Sequence, residues 1–141
     1  MRFVPYLNFD GRCAEAFRFY ERVLGGKIEG MITHGESPIA GEVPPEWHSL
    51  VLHACLVIGD QQLMASDSPP GQHVRPQGLW VSVHVDGVEE AERVFQALAE
   101  EGEVTMPIGE TFWSPRFGMC VDRFGTPWMV NCVPAGVAAA S

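Results

Sequence analysis

Two stretches of equal length decide the fold: residues 10–28 read DGRCAEAFRFYERVLGGKI, and residues 86–104 read DGVEEAERVFQALAEEGEV. Both begin with Asp-Gly, continue through a segment that mixes apolar and charged residues, and end with a glycine, a charged residue and an aliphatic residue. They lie about 75 residues apart, which is half of the chain. Because self-similarity at a fixed period marks a repeated structural unit, the sequence predicts two similar modules.

Both stretches predict an amphipathic helix. Asp86 and Glu89 have the spacing of an N-cap residue and its N3 partner in a capping box. Gly25-Gly26 and Gly102 are expected to end the two helices. Apolar residues recur at helical spacing in each copy, namely Ala16, Phe17, Tyr20, Val23 and Leu24 in the first and Val88, Ala91, Phe95 and Leu98 in the second.

An apolar strand precedes each helix, and three strand-like segments follow it. In the first half these segments are 27–34, 50–58 and 61–65, and in the second half they are 103–108, 117–122 and 127–133. Gly59-Asp60 has the composition of a hairpin turn, and Asp122 is expected to organise a tight turn over 123–126. The predicted order is therefore β-α-β-β-β, twice. Two irregular stretches rich in Pro and Gly, 35–48 and 67–78, are expected to rim a site.

This order resembles the vicinal oxygen chelate superfamily, which includes glyoxalase I, the extradiol dioxygenases and the bleomycin resistance proteins. The more detailed similarity is to its PhnB-like branch. The motifs that carry it are PYLNF at 5–9, AFRFY at 16–20 with LGG at 24–26, HACL at 53–56, and ETFWS at 110–114 running through RFGM at 116–119 to DRFGTPWMVNC at 122–132.

The resemblance implies an α+β fold in which two βαβββ modules form a half-open mixed sheet around a cavity. It implies one domain over 1–134, with module one at about 1–66 and module two at about 79–133, and residues 135–141 are expected to form a flexible tail. It also implies a homodimer.

Composition narrows the function. Nine Lys and Arg residues against 18 Asp and Glu residues give a net charge of −9 without a basic patch, so neither nucleic acid nor a membrane surface is an expected partner. No stretch has the pattern of a signal peptide or the length of a membrane span, and a cytoplasmic protein is expected. The four cysteines form no CxxC pair and are predicted to be reduced structural thiols, with Cys13 near a helix start the candidate for altered reactivity.

Superfamily enzymes hold a divalent metal at four places, on the first and last strands of each module, with His, Gln or Glu side chains. In this chain those places correspond to Val4 or Pro5, to residues 63–65, to Trp80 and to Met129. None offers the imidazole nitrogen or hard oxygen that such an ion prefers. The superfamily metal site is therefore predicted to be missing, and no cofactor is expected.

Strand alternation indicates which side chains face the cavity. Leu7 and Phe9 are expected under the first helix, as are Val81, Val83 and Val85 under the second. On the opposite faces lie the predicted ligand-binding residues Tyr6, Asn8, His53, Ser82 and His84, and the loop before the seventh strand adds Trp113, Arg116 and Phe117. Asn131 is a further hydrogen-bonding group on a cavity face.

Each of these residues also has a possible structural role. Trp113 and Phe117 suit a wall on which a ligand stacks, but equally a core or dimer contact. Arg116 suits an anionic ligand or an ion pair with a carboxylate of the protein. His53 and His84 could be hydrogen-bonded structural residues. His34, His48 and His73 are expected to be solvated or hydrogen-bonded, with a metal cluster drawn from separate loops left open.

The function predicted from the sequence is small-molecule binding by a protein without the superfamily metal. The alternative is a glyoxalase-type lyase or isomerase, or another superfamily enzyme, with non-standard ligands such as His34, His53 and His84 or with metal-free acid–base chemistry. No catalytic residue is assigned.

Overall fold

The computed structural model describes residues 1–133, and the expected tail at 135–141 lies outside the described residues. It divides into two compact units, one ending at Arg75 and the other beginning at Pro76. Each unit holds one helix and one mixed four-stranded sheet, which confirms the predicted α+β class and the two βαβββ modules. No helix within residues 1–133 is long and apolar enough to cross a membrane.

Module one contains β1 (Tyr6–Phe9), α1 (Cys13–Leu24), β2 (Lys27–Thr33), β3 (Val51–Ile58) and β4 (Gln61–Asp67). Its sheet order is β1-β4-β3-β2, with β1 parallel to β4 and the other pairs antiparallel. Helix α1 buries Phe17 and Tyr20 against one face of this sheet, where Leu7 and Phe9 are buried as predicted. The expected irregular stretch between β2 and β3 contains two short 3₁₀ turns, Ala40–Glu42 and Pro45–Trp47.

Module two contains β5 (Val81–Asp86), α2 (Val88–Ala99), β6 (Glu103–Gly109), β7 (Phe117–Val121) and β8 (Pro127–Val133). The sheet order is β5-β8-β7-β6, and β5 is again the strand that pairs in parallel. Helix α2 buries Phe95 and Leu98, while Trp128, Val130 and Cys132 supply the buried residues of β8. In both modules the helix covers one face, and the other face is called here the helix-free face.

The predicted capping box on α2 is wrong. Asp86 stays in β5, paired with Val133, so its backbone remains extended and the residue before the helix is Gly87. Gly87 has φ of 91°, a conformation that glycine adopts without steric cost, and no side chain caps the helix start. The carbonyl of Gly87 accepts the backbone N–H of Ala91 at 3.2 Å, which opens the helix one residue later than predicted.

The helix ends also differ from one another. Gly25 caps α1 in the left-handed region, with φ of 76°, as predicted. Helix α2 has already ended when the chain reaches Gly102: Glu100 is extended, and the positive φ belongs to Glu101, at 60°. Gly102 is needed for another reason, because a Cβ there would lie 2.2 Å from the carbonyl oxygen of Val121.

Two buried carboxylates hold the turns of the modules together. In module one Asp67 accepts the backbone N–H groups of Cys13 at 3.0 Å and Val51 at 2.9 Å, so the start of α1 is capped by a residue far along the chain. In module two Asp122 accepts from the backbone N–H of Thr126 at 3.0 Å and the indole N–H of Trp128 at 2.8 Å. The predicted role of Asp122 in organising the turn is confirmed.

Candidate functional site

The helix-free face of module two gathers several of the predicted ligand-binding residues. Strand register places His84 opposite Asn131 and Asn131 opposite Phe117, so these three side chains form one row across β5, β8 and β7. Ser82 begins the neighbouring row. Both Ser82 and His84 are exposed, whereas the valines that alternate with them are half-buried, which confirms the predicted strand faces.

The row that begins at Ser82 continues through three methionines. Met129 pairs with Ser82, Met119 with Met129, and Met106 with Met119. Methionine thioethers are flexible and polarizable, so this row can adapt its shape to an apolar group placed on it. The sequence alone did not reveal this row, because it appears only when the pairing register of four strands is known.

A structured loop positions the aromatic residues beside this face. The Ser114 hydroxyl donates to the Cys132 carbonyl at 2.8 Å, and the Ser114 backbone N–H donates to the Thr111 hydroxyl at 3.1 Å. Ser114 itself is buried, so the loop is anchored to β8. The neighbouring Trp113 then contacts Phe117 edge-to-face, with ring centroids 5.3 Å apart, and keeps 46% of its surface exposed.

Arg116 is turned toward the other side of the sheet. Its Nε lies 3.0 Å from Glu92 Oε1 on α2, and its Nη1 donates to the Pro115 carbonyl at 2.7 Å. An ion pair with a carboxylate is one of the two roles that the sequence predicts for Arg116. Contact between Arg116 and an anionic ligand stays a prediction.

Asn131 carries an unpartnered polar atom in this row. Its amide oxygen is buried and accepts no hydrogen bond from any group within residues 1–133. Buried polar atoms in folded proteins almost always have a partner, and leaving one unpaired costs about 1–3 kcal/mol. Asn131 itself lies between His84 and Phe117 in the row, so a donor group placed on this row is the candidate partner for its oxygen.

On the helix-free face of module one, Tyr6 and His53 contact each other. The Tyr6 hydroxyl and His53 Nδ1 are 3.0 Å apart, and the two rings stack with centroids 5.7 Å apart and an interplanar angle of 26°. The sequence placed both side chains on cavity faces but could not show that they meet, because β4 lies between their strands. The pair joins a phenol to an imidazole, two groups that exchange protons readily.

The third predicted residue of this face is held by its own module. The Asn8 amide nitrogen donates to the Ser66 hydroxyl at 3.2 Å, and its oxygen accepts from the Ser68 hydroxyl. These contacts tie β1 to the end of β4. A role of Asn8 in ligand binding stays a prediction.

The remaining histidines lie around the irregular stretches. His48 Nε2 is 2.8 Å from the Ala40 carbonyl oxygen, and the His34 ring contacts Trp47 edge-to-face. The Nδ1 atoms of His34 and His73 are buried without a hydrogen-bond partner among the described residues. Within residues 1–133, no group of three or more His, Cys, Asp or Glu side chains is arranged to hold a metal ion.

All four cysteines are free thiols, as predicted. Cys13, the candidate for altered reactivity, is altered toward lower reactivity. Burial, followed by the nearby charge of Asp67, raises the pKa of Cys13 to about 12. Since the thiolate is the reactive form, Cys13 is an unreactive thiol at neutral pH.

Comparison with known proteins identifies the family. The model of the Glyoxalase/Bleomycin resistance protein/Dioxygenase superfamily matches residues 2–130, and the chain belongs to that superfamily. Protein YjdN of Escherichia coli (strain K12) is 34% identical over 137 residues, which cover 92% of this chain and 93% of that protein.

Two solved structures support the narrower resemblance. Protein PA1353 from Pseudomonas aeruginosa has a TM-score of 0.87 and 48% identity, covering 94% of this chain and 98% of that one. A Bacillus cereus protein described as a putative 3-demethylubiquinone-9 3-methyltransferase, PhnB protein, has a TM-score of 0.79 and 25% identity, covering 94% of this chain and 100% of that one. The predicted PhnB-like resemblance is confirmed.

Proposed function

We propose that this protein binds a small molecule on the helix-free face of module two. The observation that carries the proposal is the unpartnered amide oxygen of Asn131, which lies in one row with His84 and Phe117. A ligand that offers an N–H or O–H donor to this oxygen would remove the cost of leaving it unpaired. The ligand class is therefore a molecule with a donor group beside a flat or apolar part.

The apolar part of the ligand has two surfaces available. The half-exposed Trp113, braced by Phe117, offers an aromatic wall, and the row of Met106, Met119 and Met129 offers an adaptable floor. Ser82 and His84 add polar contacts at the exposed end of the two rows. Ligand contacts at Tyr6, Asn8 and His53 on module one, and at Arg116, stay separate predictions that this module-two surface does not require.

We propose further that the superfamily's divalent metal is not part of this site. The corresponding places hold valine or proline, apolar residues of β4, a tryptophan and a methionine, and thioether and aromatic groups are poor ligands for hard divalent ions. Methyl transfer is not proposed, since the sequence contains no Gly-rich nucleotide-binding turn followed by an acidic residue. We also propose that the protein forms a homodimer and acts in the cytoplasm.

The binding test uses thermal melting and the intrinsic fluorescence of the four tryptophans, of which Trp113 lies at the proposed site. Defined dicarbonyls, glutathione adducts and phosphonates are screened, and a binder is expected to raise Tm and change the fluorescence of wild type. With Asn131→Ala and Trp113→Ala the Tm shift is expected to disappear, while Phe3→Ala, at a residue 94% exposed in module one, keeps it. Equal Tm shifts in wild type and both site variants would refute this site.

A sizing column separates binding from assembly. If Trp113→Ala abolishes ligand binding and leaves the oligomeric state unchanged, Trp113 belongs to the pocket. If the same substitution dissociates the protein while the Asn131→Ala protein still binds ligand, the aromatic loop serves assembly instead.

The contact between Tyr6 and His53 favours a second candidate, an acid–base lyase or isomerase. A phenol hydrogen-bonded to an imidazole can pass a proton to or from a substrate atom. Turnover of a dicarbonyl or its glutathione adduct that is lost in both Tyr6→Phe and His53→Gln would support this candidate. Turnover that survives both substitutions, or that depends on His84 alone, would exclude the pair as its catalyst.

A further inference from the structure

A cluster of soft metal ligands lies on the helix-free face of module one, apart from the module-two surface proposed above, and it shares His53 with the candidate acid–base pair. Strand register places Cys55 of β3 directly opposite Met64 of β4. His53 precedes Cys55 by two residues on β3, and the pairing with β2 is regular from His53 to Cys55, so the two side chains share a face. An imidazole, a thiol and a thioether therefore share one face of two adjacent strands.

The spacings suit a single ion. Residues two apart on a strand are about 7 Å apart between their Cα atoms, and directly opposite side chains have Cβ atoms about 5 Å apart. Ligand bonds of about 2.0 Å from nitrogen and about 2.3 Å from sulfur can close such gaps with ordinary side-chain rotation. The three residues are all half-buried, so an ion can reach them and is still partly shielded from water.

The Tyr6 contact orients the His53 ring, and the charge of the chain favours a cation. Tyr6 holds His53 through Nδ1, which leaves Nε2 as the nitrogen available to a metal, and such partners orient ligating histidines in known metal sites. The net charge of −9 also favours the approach of a cation.

We propose that His53, Cys55 and Met64 form a binding site for a soft monovalent cation, copper(I). Thiolate and thioether sulfur select copper(I) over hard divalent ions, and a set of two sulfurs and one nitrogen suits its low coordination number. Binding replaces the thiol proton: Cys55–SH and Cu⁺ give Cys55–S–Cu and one released H⁺, with no change of oxidation state. The site differs from the superfamily metal site, because two of its three ligands lie on β3.

The test is an anaerobic titration of the full chain with copper(I), supplied as its acetonitrile complex, in competition with the chelator bathocuproine disulfonate. One equivalent is expected to bind with release of about one proton. Cys55→Ser is expected to weaken binding about 100-fold or more, and Met64→Leu and His53→Gln about 10-fold or more each. The matched controls are Met31→Leu, which pairs with Ala54 on the opposite face of the sheet, and Cys132→Ala in module two; both are expected to bind copper as wild type does.

X-ray absorption at the copper edge gives an independent readout, with one nitrogen at roughly 2.0 Å and two sulfurs at roughly 2.3 Å expected. Tyr6→Phe is expected to keep these ligands and to weaken affinity about 10-fold. If Met64→Leu and His53→Gln both bind copper as wild type does, the ion rests on a thiol alone and the proposal fails. Since the small-molecule binding test uses variants of module two, that proposal and this one can fail separately, and Cys55→Ser and Met64→Leu separate copper binding from an acid–base role of Tyr6 and His53.

Discussion

Gly102 offers the sharpest test of how module two is packed. A Cβ at this position would lie 2.2 Å from the Val121 carbonyl oxygen and 3.0 Å from two backbone atoms of Asp122, whereas real Cβ atoms are essentially never found under 3.0 Å. The obstacle is backbone, so Gly102→Ala must displace the end of β7. Overpacking of this kind lowers the free energy of unfolding by about 1–3 kcal/mol. Because the Val121 and Asp122 backbone cannot rotate away as a side chain can, we expect about 3 kcal/mol for Gly102→Ala.

The structure provides a graded series for this test. Gly26 holds the equivalent position in module one, where a Cβ would meet the Ile58 side chain at 2.5 Å and the Val57 carbonyl oxygen at 2.7 Å. Because part of that obstacle is a movable side chain, we expect Gly26→Ala to cost less, about 1–2 kcal/mol. The matched controls are Gly109→Ala and Gly30→Ala, where no atom of residues 1–133 lies within 4 Å of the added Cβ and the change is expected to be neutral or slightly stabilising.

Urea unfolding followed by circular dichroism measures the free energy of unfolding of all four variants. Near this chain length 1 kcal/mol corresponds to a shift in Tm of roughly 3 °C, so thermal melting should rank the variants in the same order. If Gly102→Ala proves as stable as Gly109→Ala, the close approach between Gly102 and β7 is not what requires glycine there.

Three further predictions concern buried groups. Asp122→Asn keeps one oxygen for the backbone donors but turns an NH₂ group toward the Trp128 indole, which should lower the free energy of unfolding by about 2 kcal/mol in urea titrations; an unchanged urea midpoint would contradict it. Burial raises the pKa values of Cys13 and Cys120 to about 12, so the unfolded chain releases these protons near pH 9 before the folded one does. Stability should therefore fall as pH rises from about 9 to about 12, with a shallower fall in Cys120→Ala. At pH 8 a thiol reagent should label Cys55 well before the buried Cys13 and Cys120, as peptide mapping can show; faster labelling of Cys13 would overturn the assigned burial.

Local sequence patterns were enough to predict most of the fold. The helical stripe at 16–24 and the alternation Val81, Val83, Val85 depend only on neighbours in the chain, so their buried faces could be read directly. The capping box failed because pairing of Asp86 with Val133, a residue far away, keeps Asp86 in the strand. Tertiary contacts outweighed a local preference there.

The candidate site was predictable only in part. Alternation placed Tyr6 and His53 on the right faces, but their contact spans an intervening strand, and only the register shows it. The same holds for the row that joins Asn131 to His84 and Phe117. Pairing register depends on which strands are neighbours in the sheet, and the alternation within one strand does not show its neighbour.

The carboxylate of Asp67 has a consequence for how module one is assembled and how it can be divided. It joins the first turn of α1 and the first residue of β3 across separations of 54 and 16 residues, and the next residue, Ser68, donates its N–H to the Phe9 carbonyl at 2.7 Å. The cap on α1 therefore requires closure of a loop of more than 50 residues, which costs chain entropy. A fragment that stops at residue 66 would lack the residue that caps α1, and a stable isolated module must extend through Ser68.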